Sequence, residues 1–100
     1  MILVIDTTKV GEITVILKES GKEVKKIVSQ NEFGSQTLLP AIEKILKQSK
    51  IKMQDLKGIE VNTGPGSYTG IKVGVSVANA LAFALNIPVN GKKIETSINY

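Results

Sequence analysis

Two short segments of this 100-residue chain carry residues suited to gripping an anion or a hydrated cation, and neither offers a strong nucleophile. The first is Asp6-Thr7-Thr8, directly after the apolar run Ile2-Leu3-Val4-Ile5. A carboxylate at a strand end can hold a hydrated Mg²⁺ or orient a phosphate. It can equally cap its own turn by accepting from backbone two residues on. The second segment is Gly64-Pro65-Gly66-Ser67-Tyr68-Thr69-Gly70. A strand running through glycines into a helix can aim backbone N–H groups and the positive helix end at an anion. It is not a Walker loop, because Gly70 is followed by Ile71-Lys72. Nor is it a dinucleotide fingerprint, since no acidic residue lies about 20 positions on to hold a ribose. Asp6, Thr7, Thr8, Gly64, Gly66 and Ser67 therefore make a candidate phosphate site. The competing reading has Gly64 and Gly66 shaping a tight turn, with Gly70 and Gly74 letting a helix approach its neighbour closely.

Composition narrows the chemistry further. The chain has no Cys, His or Trp, and all 13 basic residues are Lys. That excludes a thiol nucleophile, a Ser-His-Asp triad, a Cys/His zinc site and an arginine finger. Glu12, Glu32 and Glu60 are isolated, so no carboxylate pair is set up for acid/base work. A self-contained enzyme is not expected, and neither a metal nor an obligate cofactor is implied beyond weak Mg-ATP or Mg-ADP binding at Asp6. The net charge of +4 comes from scattered lysines with only four aromatic residues among them, the pattern of a solvated surface rather than an RNA footprint. The N-terminus has no signal-peptide pattern and no stretch reaches the ~20 apolar residues of a membrane span, so a cytoplasmic protein without a membrane partner is expected.

One hundred residues allow a single domain. Ile2–Ile5 reads as a strand covered on both faces, followed by an alternating strand around Ile13, Val15 and Leu17, and a more polar one from Glu23 to Ser29. Tight turns join the three into an antiparallel meander with the third near an edge. Asn31 to Gly34 reads as loop and Ser35 as a helix N-cap. Leu38, Leu39, Ile42, Ile45 and Leu46 then form one apolar stripe of a helix running to about Ser49, with Pro40 as a possible kink. A helical turn at Met53–Lys57, a fourth strand at Gly58–Thr63, a helix from Thr69 to Asn86 and a short strand at Val89 follow. The polar tail Glu95–Tyr100 sits where another helix would start. The β-β-β-α-β-α-β order gives an α/β fold with a mixed sheet and helices packed on it.

The Thr69–Asn86 helix is unusual. Its polar residues Lys72, Ser76, Asn79 and Asn86 trace one narrow stripe that includes Phe83, and every other position from Ile71 to Leu85 is aliphatic or Gly. A helix resting on one sheet should show a wet face about half its circumference wide. This one needs a second cover: the first helix, another chain, or both. Gly70, Gly74 and Ala78, spaced by four, look like a track for close helix contact, and with Leu39, Ile42, Val73, Val77 and Phe83 they are the candidate interface residues.

Ile2 to Thr8, Ser35-Gln36-Thr37-Leu38-Leu39-Pro40 and Gly64 to Gly74 together resemble the N-terminal lobe of the bacterial TsaB (YeaZ) proteins. These are non-catalytic relatives of TsaD in the actin-like ATPase superfamily. The resemblance spans nearly the whole chain, with the Gly-Pro-Gly-Ser-aromatic-Thr-Gly segment as its specific part. It implies residues 1–100 as a single RNase H-like lobe, without the second lobe such proteins carry. It further implies a non-catalytic scaffold for making N6-threonylcarbamoyladenosine at tRNA position 37, bound through helices to a TsaD-like transferase or, when alone, to a second copy as a homodimer. The tRNA would be met only indirectly. The rival reading is a nucleotide-binding ATPase half-site using Asp6 and the Gly64–Gly70 turn. A glycoprotease reading finds no residues to carry it.

Overall fold

In a computed structural model describing residues 1–30 and 35–93, six strands form one mixed sheet. The strands are β1 (Ile2–Asp6), β2 (Glu12–Glu19), β3 (Lys22–Gln30), β4 (Gly58–Val61), β5 (Pro88–Val89) and β6 (Lys92–Lys93), in spatial order β3-β2-β1-β4-β5-β6. The pairs β1–β2, β2–β3 and β5–β6 are antiparallel, whereas β1–β4 and β4–β5 are parallel. The meander and the edge position of β3 follow the sequence pattern. Lys22, Lys25 and Lys26 are exposed along β3, which disfavours pairing with another chain's edge.

The sixth strand departs from the expected order. Asn90 and Gly91 take φ of 50° and 79°, as Ser20 and Gly21 take 53° and 78° between β2 and β3. Positive φ at both central residues is the two-residue hairpin turn that Asn-Gly favours. That dipeptide was the overlooked sign of β6.

Leu3, Ile5, Ile13, Val15, Leu17, Ile59 and Val61 are buried on one face of the sheet, as strict alternation requires. Helices α1 (Ser35–Gln48) and α2 (Tyr68–Leu85) cover that face, α1 over β2 and β3, α2 over β4, β1 and β5. Leu38, Ala41, Ile42, Ile45 and Leu46 are the stripe that α1 buries, and the helix runs on through an exposed Pro40. The expected turn at Met53–Lys57 is a 3-10 turn over Met53–Asp55. Helix α1 begins at the expected Ser35, while the Ser35 side chain, the Asn31–Gly34 loop and the Glu95–Tyr100 tail lie outside what the structure describes. On the opposite face, Ile2, Val4 and Ile16 are half-buried without a helix over them among the described residues.

Helix α2 corrects one further expectation. With 18 residues and a mean hydropathy of 1.3 it is long and apolar enough to cross a membrane. It rests on the sheet along one stripe, with Ala78 and Ala82 fully enclosed, but only 22% of its residues are buried, so its packing on this chain does not account for its composition.

Candidate functional site

Strand β1 ends by splitting two side chains to opposite sides. Thr7 turns toward α2 and is 1% exposed, its hydroxyl donating to the Gly70 carbonyl. A Cβ on Gly70 would strike the Thr7 carbonyl oxygen, and one on Gly74 would strike the Thr7 hydroxyl. A Cβ on Gly66 would come within 2.6 Å of the Thr8 carbonyl oxygen. The glycines therefore let the loop and the first turns of α2 press directly on the end of β1. The Ser67 backbone N–H donates to the Thr8 carbonyl at 2.7 Å, and the Ser67 hydroxyl caps the helix by accepting from the Gly70 N–H at 3.2 Å.

Asp6 points the other way, into a cleft of about 290 Å³ lined by Val4, Lys9, Glu12, Thr14, Ile16, Lys26 and Asn62. Its Oδ1 accepts from the Thr8 N–H at 2.9 Å and the Thr8 hydroxyl at 2.7 Å; its Oδ2 accepts from the Asn62 amide at 3.2 Å. Burial pushes the Asp6 carboxyl up. The hydrogen bonds from Thr8 and Asn62, with the Lys9 charge, outweigh it and hold the group below the usual aspartate range. Asn62 also accepts from the Gly64 N–H at 3.1 Å, so it links Asp6 to the glycine loop. Composition did not single out Asn62; its place two residues before Gly64 was the available signal.

The candidate phosphate residues are thus neighbours, but their polar groups do not converge. Thr7 is buried and bonded, the Ser67 hydroxyl is a helix cap, Thr8 bonds to Asp6, and both Asp6 oxygens accept within the chain. Gly64, at φ 119°, and Gly66 shape the loop rather than opening a cradle. Among the described residues no three His, Cys, Asp or Glu side chains group to hold a metal.

The candidate interface divides in two. Ile42 and Ala78 are fully enclosed, Gly74 is buried, and Gly70 is pressed against Thr7, so these four face this chain's own core and not a partner. The small-residue track closes the gap between α2 and β1. The polar stripe also breaks, because Asn79 is only 9% exposed. Leu39 and Phe83 are about half exposed, at 46% and 51%, while Val73 and Val77 are half-buried. Once Gly70, Gly74, Ala78 and Ala82 point inward, the opposite stripe of α2 comprises Val73, Ser76, Val77, Ala80, Phe83 and Ala84. Ala80 and Ala84 are exposed on it, and the sequence reading omitted both. Only Gly74, Ala78, Asn79 and Ala82 of the helix's 18 residues are buried.

Residues 26–91 match the family model described as TsaD: tRNA N6-adenosine threonylcarbamoyltransferase. The chain is 36% identical over 89 residues to the tRNA threonylcarbamoyladenosine biosynthesis protein TsaB of Bacillus subtilis, covering 89% of this chain and 39% of that protein. It is 40% identical over 74 residues to a tRNA N6-adenosine threonylcarbamoyltransferase of Listeria monocytogenes, covering 74% of this chain and 21% of the enzyme. Among solved structures, YeaZ from Pseudomonas aeruginosa superposes with a TM-score of 0.79 at 28% identity, over 88% of this chain and 42% of that one. Another structure, with a TM-score of 0.80 at the same identity, is described as a protein similar to peptidase YeaZ. The chain spans about two fifths of the length of the TsaB and YeaZ relatives it matches.

Proposed function

The chain belongs to the TsaD family, in its TsaB (YeaZ) branch, and from that premise we propose that it is a non-catalytic scaffold for tRNA threonylcarbamoyladenosine formation, docking on a TsaD-like transferase through its helices. The observation that carries the reading is the outward stripe of α2. Ala80, Phe83 and Ala84 are exposed and Val73 half-buried on it, an apolar helix face left open, and Leu39 of α1 is exposed as well. An open apolar helix face in a globular chain is the ordinary mark of an interface. The missing His and Cys and the absence of a carboxylate pair support a role without chemistry of its own. The tRNA is then met through the transferase, and the setting is the cytoplasm. When alone, the chain pairs with a second copy through the same stripe.

The test is sedimentation of the purified chain, alone and mixed with a family threonylcarbamoyltransferase. Phe83→Asp should cut association at least tenfold while leaving the thermal midpoint within a few degrees. Absence of any association, with the enzyme or with itself, removes the proposed role.

The nucleotide half-site reading has less to stand on, because every polar side chain it needs is already bonded within the chain. Calorimetry with Mg-ATP should give no heat that Asp6→Ala abolishes.

A further inference from the structure

The turn from β5 to β6 carries the chain's single Asn-Gly pair, Asn90-Gly91. Asn90 is exposed to water yet tied to β4 by three hydrogen bonds. Its backbone N–H donates to the Ile59 carbonyl at 2.8 Å, its Oδ1 accepts from the Val61 N–H at 2.8 Å, and its Nδ2 donates to the Val61 carbonyl at 3.1 Å. An asparagine amide is open to attack by the backbone nitrogen of the next residue. After Asn62, Asn79 and Asn86 that residue is Thr63, Ala80 or Ile87, whose side chain hinders the approach. Gly91 puts no side chain in the way.

We propose that Asn90 is a deamidation site gated by the β5–β6 hairpin, and that its conversion is a one-way release of the end of β4. In the reaction the Gly91 backbone nitrogen gives up its proton and bonds to Asn90 Cγ. The Cγ–Nδ2 bond breaks, and Nδ2 leaves as ammonia with that proton. Water then adds to the cyclic imide. Addition at Cγ breaks the new bond and leaves aspartate; addition at the main-chain carbonyl carbon leaves isoaspartate, with the chain running through Cγ. Solvent water is the only co-reactant, and nothing is oxidised or reduced. Because Val61 engages both polar atoms of the amide, ring closure on Gly91 waits until the hairpin lifts from β4. Neither product restores the closed form. Aspartate still accepts from the Val61 N–H, but it has no N–H for the Val61 carbonyl and sets an oxygen against it. Isoaspartate adds a methylene to a two-residue turn flanked by the pairs Pro88–Lys93 and Val89–Lys92. Val61 leads directly into Asn62, which ties Asp6 to the Gly64 N–H, so the end released is the one that carries the glycine loop.

The experiment ages the intact chain in neutral buffer, folded and in concentrated urea, and reads the mass gain at each asparagine after proteolysis. In urea Asn90 should convert ahead of every other asparagine. In the folded chain it should convert about tenfold more slowly or less, the protection expected of a group released only by local opening. Val89→Ala loosens β5 against Ile59 and leaves the Asn-Gly pair intact, so it should raise the folded rate several-fold without changing the rate in urea. Asn90→Asp, a stand-in for the product, should speed amide exchange at Val61 by about tenfold relative to β2. Another asparagine ahead of Asn90 in urea removes the site. Equal rates with and without urea, or a folded rate that Val89→Ala does not move, overturn the gate. Wild-type exchange at Val61 in Asn90→Asp overturns the release of β4.

Discussion

Thr7 is the residue on which the joint between sheet and helix turns. Its carbonyl oxygen leaves no room for a side chain at residue 70, and its hydroxyl leaves none at residue 74. Gly70→Ala and Gly74→Ala should each cost about 1–3 kcal/mol in urea unfolding, the usual range for overpacking. The two should differ in rescue. Removing the hydroxyl with Thr7→Ala frees space for Gly74→Ala, so that double variant should cost less than the sum of its parts, whereas Gly70→Ala meets backbone and should not be relieved. Simple additivity in both pairs would refute the contact. Asp6 makes a pH prediction. Its folded pKa is lowered, so its contribution is present above an unfolded value of about 3.9 and lost as pH falls through the folded one. Asp6→Asn should therefore flatten the decline of the urea midpoint below about pH 4. Parallel acid limbs for the two proteins would show that Asp6 adds nothing.

At the scale of elements, β4 is held partly by a side chain. Asn90 donates its amide N–H to the Val61 carbonyl at 3.1 Å and accepts the Val61 N–H at 2.8 Å, standing in for a strand residue where β5 is only two residues long. Asn90→Ala should cost about 1–3 kcal/mol, with amide exchange at Val61 accelerating more than exchange in β2. Equal acceleration everywhere would mean only global loosening. The helices divide their labour differently. The buried stripe of α1 is the one its periodicity shows but for one place, where Ala41 is buried and Leu39 stays 46% exposed, whereas α2 hides its smallest residues and leaves larger ones outside. Periodicity cannot distinguish the two faces of a helix that is apolar all round, because both satisfy the same spacing.

For the molecule as a whole, one core joins Leu3, Ile5 and Ile13 of the sheet to Leu38, Ile42 and Ala82 of the helices. Ile42→Ala should cost about 2–5 kcal/mol in unfolding free energy, since the cavity it leaves is fully enclosed. Phe83→Ala should change stability by less than about 1 kcal/mol and act on association instead. Reversed outcomes would mean that Phe83 is the core residue and Ile42 the surface one.

Strand alternation, the two turns of the meander and the amphipathic first helix were legible residue by residue, because each depends on neighbours a few positions apart. So was the excess of apolar surface on the second helix, which is a matter of composition. Which half of that excess the chain keeps for itself was decided only when β1 brought Thr7 against Gly70 and Gly74. The same contact turned Thr7 from a ligand candidate into a strut and directed Asp6 to the other side of the sheet. Contacts between residues more than sixty positions apart leave no periodic trace, so spacing alone could nominate those side chains but could not say what they touch.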